Sequence, residues 1–412
     1  MSSMKIAVMG GGNGSHTIAA DLALKGHTVN MFEMDQFAAQ MQKVFETSEI
    51  EMSGIAGNGI AKLNLVTTDI RQAIEDVEVV FLPLPGFTVS VYGQLLSPYV
   101  TKDQIVVIMP GTLSALEFRE ALRANGNRNE PKVAETGGLP FATRIVAPGK
   151  VKVFHIRSVC GLASIPGNNG KAVYEKLKEF YPFDLKNSVV ETGLGHLTPL
   201  LHPVGCLLNA GRIERSHGEF YMYEEGMTPS VVKVIESLDM ERLKIGRALD
   251  IQLPTGVDMM VESGYGPRGT LWESLNGSAG LTPVKGPDSL KNRYVTEDIP
   301  FGLVAWASIG DAAGVDTPIM DSLVEIGSAI MGKNCWQTGR NLKKMGLEGL
   351  NLSQIRTYLE KGERPERSTL GWDQTNKYNS VYLKRNLDSG GDTNEYLAPV
   401  RPSFWPPPLG WR

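Results

Sequence analysis

The 412-residue chain is short of cysteine, of net charge and of long apolar runs, and each shortage removes a class of explanation. Its three cysteines, Cys160, Cys206 and Cys335, stand far apart, odd in number and outside any C-x-x-C spacing. That pattern builds neither a disulfide framework nor a zinc site, fits a reducing compartment and makes a cytoplasmic location the expectation. No stretch approaches the roughly eighteen apolar residues of a membrane span. A formal net charge of −4 offers no basic face for nucleic acid or for an anionic membrane. The chain runs straight into an apolar strand, so a cleavable leader is not expected. Recognition must therefore be local.

Glycine is plentiful where it matters. Lys5 to Met9 reads as a buried parallel strand, too short for a helix, and it meets Gly10-Gly11-Gly12-Asn13-Gly14-Ser15-His16. Ile18, Ala19, Leu22 and Ala23 then recur at helical spacing, and a second strand from Thr28 to Phe32 ends on Glu33. Strand, glycine loop, helix and a terminal acid about twenty residues on are the parts of a dinucleotide site. Gly10 permits the tight turn, and Gly12 lets the backbone approach a pyrophosphate seated on the amides of Asn13, Gly14 and Ser15. Ser15 fills the third small position of the pattern. Glu33 would hold two ribose hydroxyls, which favours NAD over NADP because no arginine among Met34, Asp35 and Gln36 could bind a 2′-phosphate. FAD also suits an acid here, but no second nucleotide motif appears.

Strands at Val77–Leu82 and Ile105–Met109 and helical periodicities after each continue an α/β N-terminal Rossmann unit, a doubly wound parallel sheet with its crevice at the carboxyl strand ends. A short strand at Val133 and an alternating one at Val151–Ile156 extend that sheet, and residues 161–169 read as loop. Glu135 and Thr136 either line the crevice or form a polar turn. Beyond Glu191 helical patterns take over at residues 197–213, 230–249, 302–313 and 318–331, the last with Thr317 and Pro318 as cap and first-turn pair. The expected domains are residues 1–190, an all-helical C-terminal domain at 191–361, and a Pro- and aromatic-containing tail at 362–412 that could lie against the body or a partner subunit.

Two polar features interrupt the helical half. His202 sits in an otherwise apolar helix, where a histidine is more often a satisfied core residue than a catalyst. Asp298, in Asn292-Arg293-Tyr294-Val295-Thr296-Glu297-Asp298, reads on its own as a polar helix start.

The sequence resembles the opine dehydrogenase family. The likeness is carried by Gly10-x-Gly12-Asn13-x-x-His16, Pro110-Gly111, Glu135-Thr136, His202-Pro203 with Leu207-Leu208-Asn209-Ala210, Glu225-Gly226-Met227-Thr228-Pro229, and Arg293-Tyr294 with Glu297-Asp298. The resemblance implies NAD(P)H-dependent reduction of the imine between an α-keto acid and an amino acid or amine. It makes His202 the acid/base, Asp298 its partner, Arg293 the keto-acid anchor, and Glu135, Thr136 and Asn209 further substrate contacts. A homodimer is compatible with it. The alternatives are a two-domain NAD-dependent hydroxy-acid or keto-acid reductase and a non-catalytic NAD-binding sensor or scaffold.

Overall fold

The computed structural model describes residues 3–364. Twelve strands form two sheets: β1 (Lys5–Met9), β2 (Thr28–Phe32), β3 (Glu49–Gly54), β4 (Gly59–Lys62), β5 (Leu65–Thr67), β6 (Val79–Leu82), β7 (Ile105–Ile108), β8 (Lys132–Thr136), β9 (Phe141–Ala147), β10 (Lys150–Ile156), β11 (Cys160–Ile165) and β12 (Phe183–Leu185). The larger sheet runs β12-β11-β8-β7-β6-β1-β2-β5. From β5 to β8 it is wholly parallel and has the Rossmann order, with the reversal between β1 and β6 marking the crevice. The central strands are apolar on both faces, Ile6 to Met9 and Val79 to Leu82 being fully buried, because helices cover the sheet on each side.

Two expectations need correction. Residues 161–165 are not loop but part of β11, which pairs antiparallel with β8 and parallel with β12. Gly161, Ala163 and Ser164 dilute its apolar signal. The alternating segment at 151–156 does not extend the Rossmann sheet either. As β10 it belongs to a separate four-stranded sheet, β4-β3-β10-β9, whose inner residues Ile50, Met52, Val151 and Val153 are buried. Gly54, at φ +105°, is required there because a Cβ would collide with the Val153 carbonyl.

After β12 the described chain is helix and loop apart from one isolated bridge, Tyr221 with Lys285. The run expected at 197–213 is two helices, Leu197–Leu208 and Ala210–Ser216, divided at Asn209. Two segments, Met222–Gly226 and Asp298–Leu303, are π-helical turns, the second leading directly into the Val304–Ala312 helix. Thr317 does not cap the Pro318–Met331 helix, because its hydroxyl donates to Asp321 Oδ1. Instead the Glu241 carboxylate accepts the free amides of Ile319 and Met320 at 2.8 and 3.0 Å, a negative charge at a helix N-terminus. No helix among the described residues is long and apolar enough to cross a membrane. Apart from residues 362–364, the tail lies outside the described residues.

Candidate active site

The glycine loop follows β1 at the sheet reversal. Gly10 has φ +84°, and a Cβ there would stand 2.6 Å from Leu84 Cδ2, so both conformation and space call for glycine. Ser15 is fully buried and donates to Met9 O at 2.8 Å, which ties the Asn13–Leu24 helix to β1. Asn13 Oδ1 accepts the Ile145 amide at 2.8 Å and docks the same helix on β9. A Cβ on Gly14 would press Leu139 and Pro83, whereas one on Gly12 would meet nothing within 4 Å. Open space thus faces the first helical turn, and no side chain caps it. Glu33 accepts the Gly11 amide at 2.6 Å and the Met34 amide at 2.8 Å. Burial pushes its carboxyl above the usual range while those amides pull it down. A free helix N-terminus and an acid at the end of β2 fit the pyrophosphate and ribose of a dinucleotide.

Across the crevice, Leu197–Leu208 presents His202, which is 9% exposed. Its Nδ1 lies 2.8 Å from Asp298 Oδ2, and its Nε2 lies 3.1 Å from the Tyr223 hydroxyl. The Tyr294 ring stacks on the imidazole at 3.7 Å between centroids. Asp298 and Tyr223 both stand on the π-helical turns, where an extra residue per turn re-aims side chains; such turns recur at functional sites. Asp298 Oδ1 accepts the Thr198 hydroxyl at 2.8 Å. Thr198 therefore has no proton left for His196 Nε2 at 3.5 Å, and the consistent arrangement is Nε2–H donating, with His196 Nδ1 accepting from Thr112 Oγ1 at 2.8 Å. Burial lowers His196 to about 4, so the ring is neutral. The network spans Thr112, beyond β7, to Tyr223 in the helical half.

Two further ties hold the crevice walls together. Arg340 donates from Nε to Glu117 Oε2 at 2.6 Å, from Nη1 to Thr112 O and Phe301 O at 2.9 Å each, and from Nη2 to Gly86 O at 2.9 Å. Glu297 accepts the Gly86 amide at 2.7 Å and pairs with Arg293 Nε. The loops after β6 and β7 are thus fixed to the turn that carries Asp298.

Of the expected substrate contacts, Arg293 lies on the Arg293–Thr296 helix just ahead of Asp298 with a 62% exposed side chain. Glu135 and Thr136 are fully buried and present no polar atoms to the crevice, while half-buried Asn209 has its Nδ2 engaged elsewhere. Glu135 is fully buried and accepts the Leu113 and Ala115 amides at 3.0 and 2.8 Å and the Thr192 hydroxyl at 3.2 Å. It holds Leu113 at φ +64°, a conformation that needs such support. Thr136 Oγ1 is spent on Gly138 O and Asn209 Nδ2 on the carbonyls of Gly205 and Gly226. The sequence alone assigns no role to Tyr223, Thr198, His196 or Arg340. His196 and Thr198 flank the segment around His202, but Tyr223 and Arg340 carry no periodic or spacing signal.

Known proteins resemble the chain in both halves. The family described as NAD/NADP octopine/nopaline dehydrogenase, alpha-helical domain, matches residues 185–331, and that described as NAD-dependent glycerol-3-phosphate dehydrogenase N-terminus matches residues 5–118. The opine dehydrogenase of Arthrobacter sp. (strain 1C) is 33% identical over 362 residues, 87% of this chain and 100% of its own length. Octopine dehydrogenase solved with NADH and L-arginine shares the fold, with a TM-score of 0.72 at 20% identity over 89% of this chain and 100% of that one. NADP+-bound yersinopine dehydrogenase does so with a TM-score of 0.68 at 14% identity, over 87% and 98%.

Proposed function

The chain belongs to the opine dehydrogenase family, and on that premise we propose that His202 is the acid/base of its reaction and that Asp298 holds it ready. The enzyme is an NAD(P)-dependent oxidoreductase acting on CH–NH donors. It joins a keto acid to an amino acid or amine by reducing the imine they form, and it runs the reverse oxidation.

The cofactor supplies the hydride when bound. The protein's own residues manage position and proton. Reducing a C=N bond puts a proton on nitrogen, and His202 Nε2 is the atom that gives it. Asp298 accepts Nδ1–H and so fixes the tautomer and orientation that leave Nε2 facing the substrate. Burial raises Tyr223 well above its ordinary range, so its hydroxyl stays protonated and covers Nε2 until a substrate nitrogen takes that place. Tyr294 blocks one face of the ring and limits its rotation. Arg293, whose Nε is held by Glu297, offers its remaining N–H groups to the keto-acid carboxylate. Gly10, Gly12, Asn13, Gly14 and Ser15 shape the pyrophosphate seat, and Glu33 takes the ribose hydroxyls, which makes NAD(H) the preferred form. The two lobes divide near residue 190, with the helical one running to 361. Buried free thiols at Cys160, Cys206 and Cys335 favour the cytoplasm, and a homodimer is the assembly to test by sedimentation.

The contact that carries this reading is the 2.8 Å approach of Asp298 to His202 across 96 residues of chain. Because reduction takes up a proton and oxidation releases one, the reductive rate should fall with rising pH and the oxidative rate should rise. His202→Ala should abolish turnover while NADH still binds, and Asp298→Asn should cut kcat by about 10²–10⁴ without unfolding the protein. Near-normal turnover in His202→Ala would return His202 to the core.

A further inference from the structure

Arg157 is a half-buried guanidinium without a carboxylate partner among the described residues. It follows β10, and its amide donates to Pro140 O at 2.9 Å, which draws it to the carboxyl end of β8. A Cβ on Gly138 would stand 2.7 Å from Arg157 Cζ, so the guanidinium rests against bare main chain there. From the helical side, Ser263 Oγ accepts Nη1 at 3.3 Å and the Tyr265 ring centre lies 5.5 Å from Cζ. His155 supports that ring, 5.0 Å away between centroids, and its Nε2 lies 3.3 Å from Ser263 O. The fully buried Arg242 and Arg340 meet carboxylates, at Asp239 and Glu117. Among the described residues Arg157 forms no ion pair, and Ser263 takes one N–H of its half-buried guanidinium.

The position borders the network around His202. Burial lowers His196, and the Arg157 charge adds to that effect; Tyr265 in turn bears on Tyr223, the residue against His202 Nε2. The imine of a keto acid and an amino acid carries two carboxylates, one on either side of the C=N bond, and needs two cations. Arg293 lies beside Asp298 on the helical wall. Arg157 comes from the opposite wall.

We propose that Arg157 determines specificity for the amine substrate by receiving its carboxylate, so that α-amino acids are selected over amines that lack one. This rests on the reading of His202 as the acid/base of imine reduction. The guanidinium fork, positioned by Ser263 and Tyr265, matches a carboxylate with two parallel hydrogen bonds, which lysine cannot reproduce.

The test uses the full-length enzyme with pyruvate and three pairs of probes: L-methionine and 3-(methylthio)propylamine, L-phenylalanine and phenethylamine, L-arginine and agmatine. Wild type should favour the amino acid of an accepted pair by about 10²-fold in kcat/KM. Arg157→Met should raise the amino-acid KM by a similar factor and collapse that preference, with pyruvate KM and NADH Kd unchanged. Arg157→Lys should recover part of the loss, and Arg293→Lys should act on pyruvate KM instead. An amino-acid KM within about threefold of wild type in Arg157→Met would overturn the proposal, as would a loss that falls on pyruvate or NADH. Wild type inactive with every pair, or active with pyruvate alone, would remove the underlying reading as well.

Discussion

Replacing Arg340 by methionine removes the cation that ties the crevice walls together. Its side chain is 1% exposed and Glu117 3% exposed, so the substitution strands a buried carboxylate. Breaking a buried pair from one side costs about 3–5 kcal/mol. The carbonyls of Thr112, Phe301 and Gly86 also lose a donor, each worth about 1 kcal/mol net where water cannot replace it. A total of about 6–8 kcal/mol is a large share of a domain stability of about 5–15 kcal/mol. Urea unfolding followed by circular dichroism should show the loss directly. Adding Glu117→Leu to Arg340→Met should recover part of it, because an apolar pair of similar volume avoids the desolvated charge. Imine reduction should suffer more than NADH affinity, since the clamp holds the turn that carries Asp298. A single variant within about 1 kcal/mol of wild type, or a double variant no more stable than the single, would refute the clamp.

The neutral His196 makes stability depend on acid. With its folded value near 4 and its ordinary value 6.5, the unfolded chain binds a proton that the folded one refuses, so stability falls as pH drops from about 6.5 to about 4. The loss is on the order of 3 kcal/mol, and thermal midpoints of His196→Gln across that range should lack the slope; a parallel slope in the variant would assign it to other groups. At the cofactor edge, kcat/KM should favour NADH over NADPH, since the Glu33 carboxylate would repel a 2′-phosphate, and Glu33→Ser should narrow the ratio. A wild-type preference for NADPH would overturn that role for Glu33.

The cofactor half was largely legible in the sequence because its chemistry is local. Gly10, Gly12 and Ser15 lie within one turn, and Glu33 ends the next strand, so spacing alone places them. The second sheet was not legible, since β3 pairs with β10 across about a hundred residues and nothing in either strand names its partner. His202 and Asp298 were found through family resemblance. Tyr223, Thr198 and His196 surround them only because the two π-helical turns and the Leu197–Leu208 helix converge, and no periodic pattern announces a π-helical turn. Glu135 shows the opposite error, a crevice carboxylate in sequence that the fold spends on backbone amides.

The central claim is that this crevice reduces an imine, and the most direct measurement is NADH oxidation in a matrix of keto acids against amino acids and amines, with each component also omitted in turn. The account predicts turnover only when a keto acid and an amine are both present, with a secondary amine as product. Equal NADH oxidation by a keto acid alone would contradict it and make the enzyme a hydroxy-acid-forming reductase.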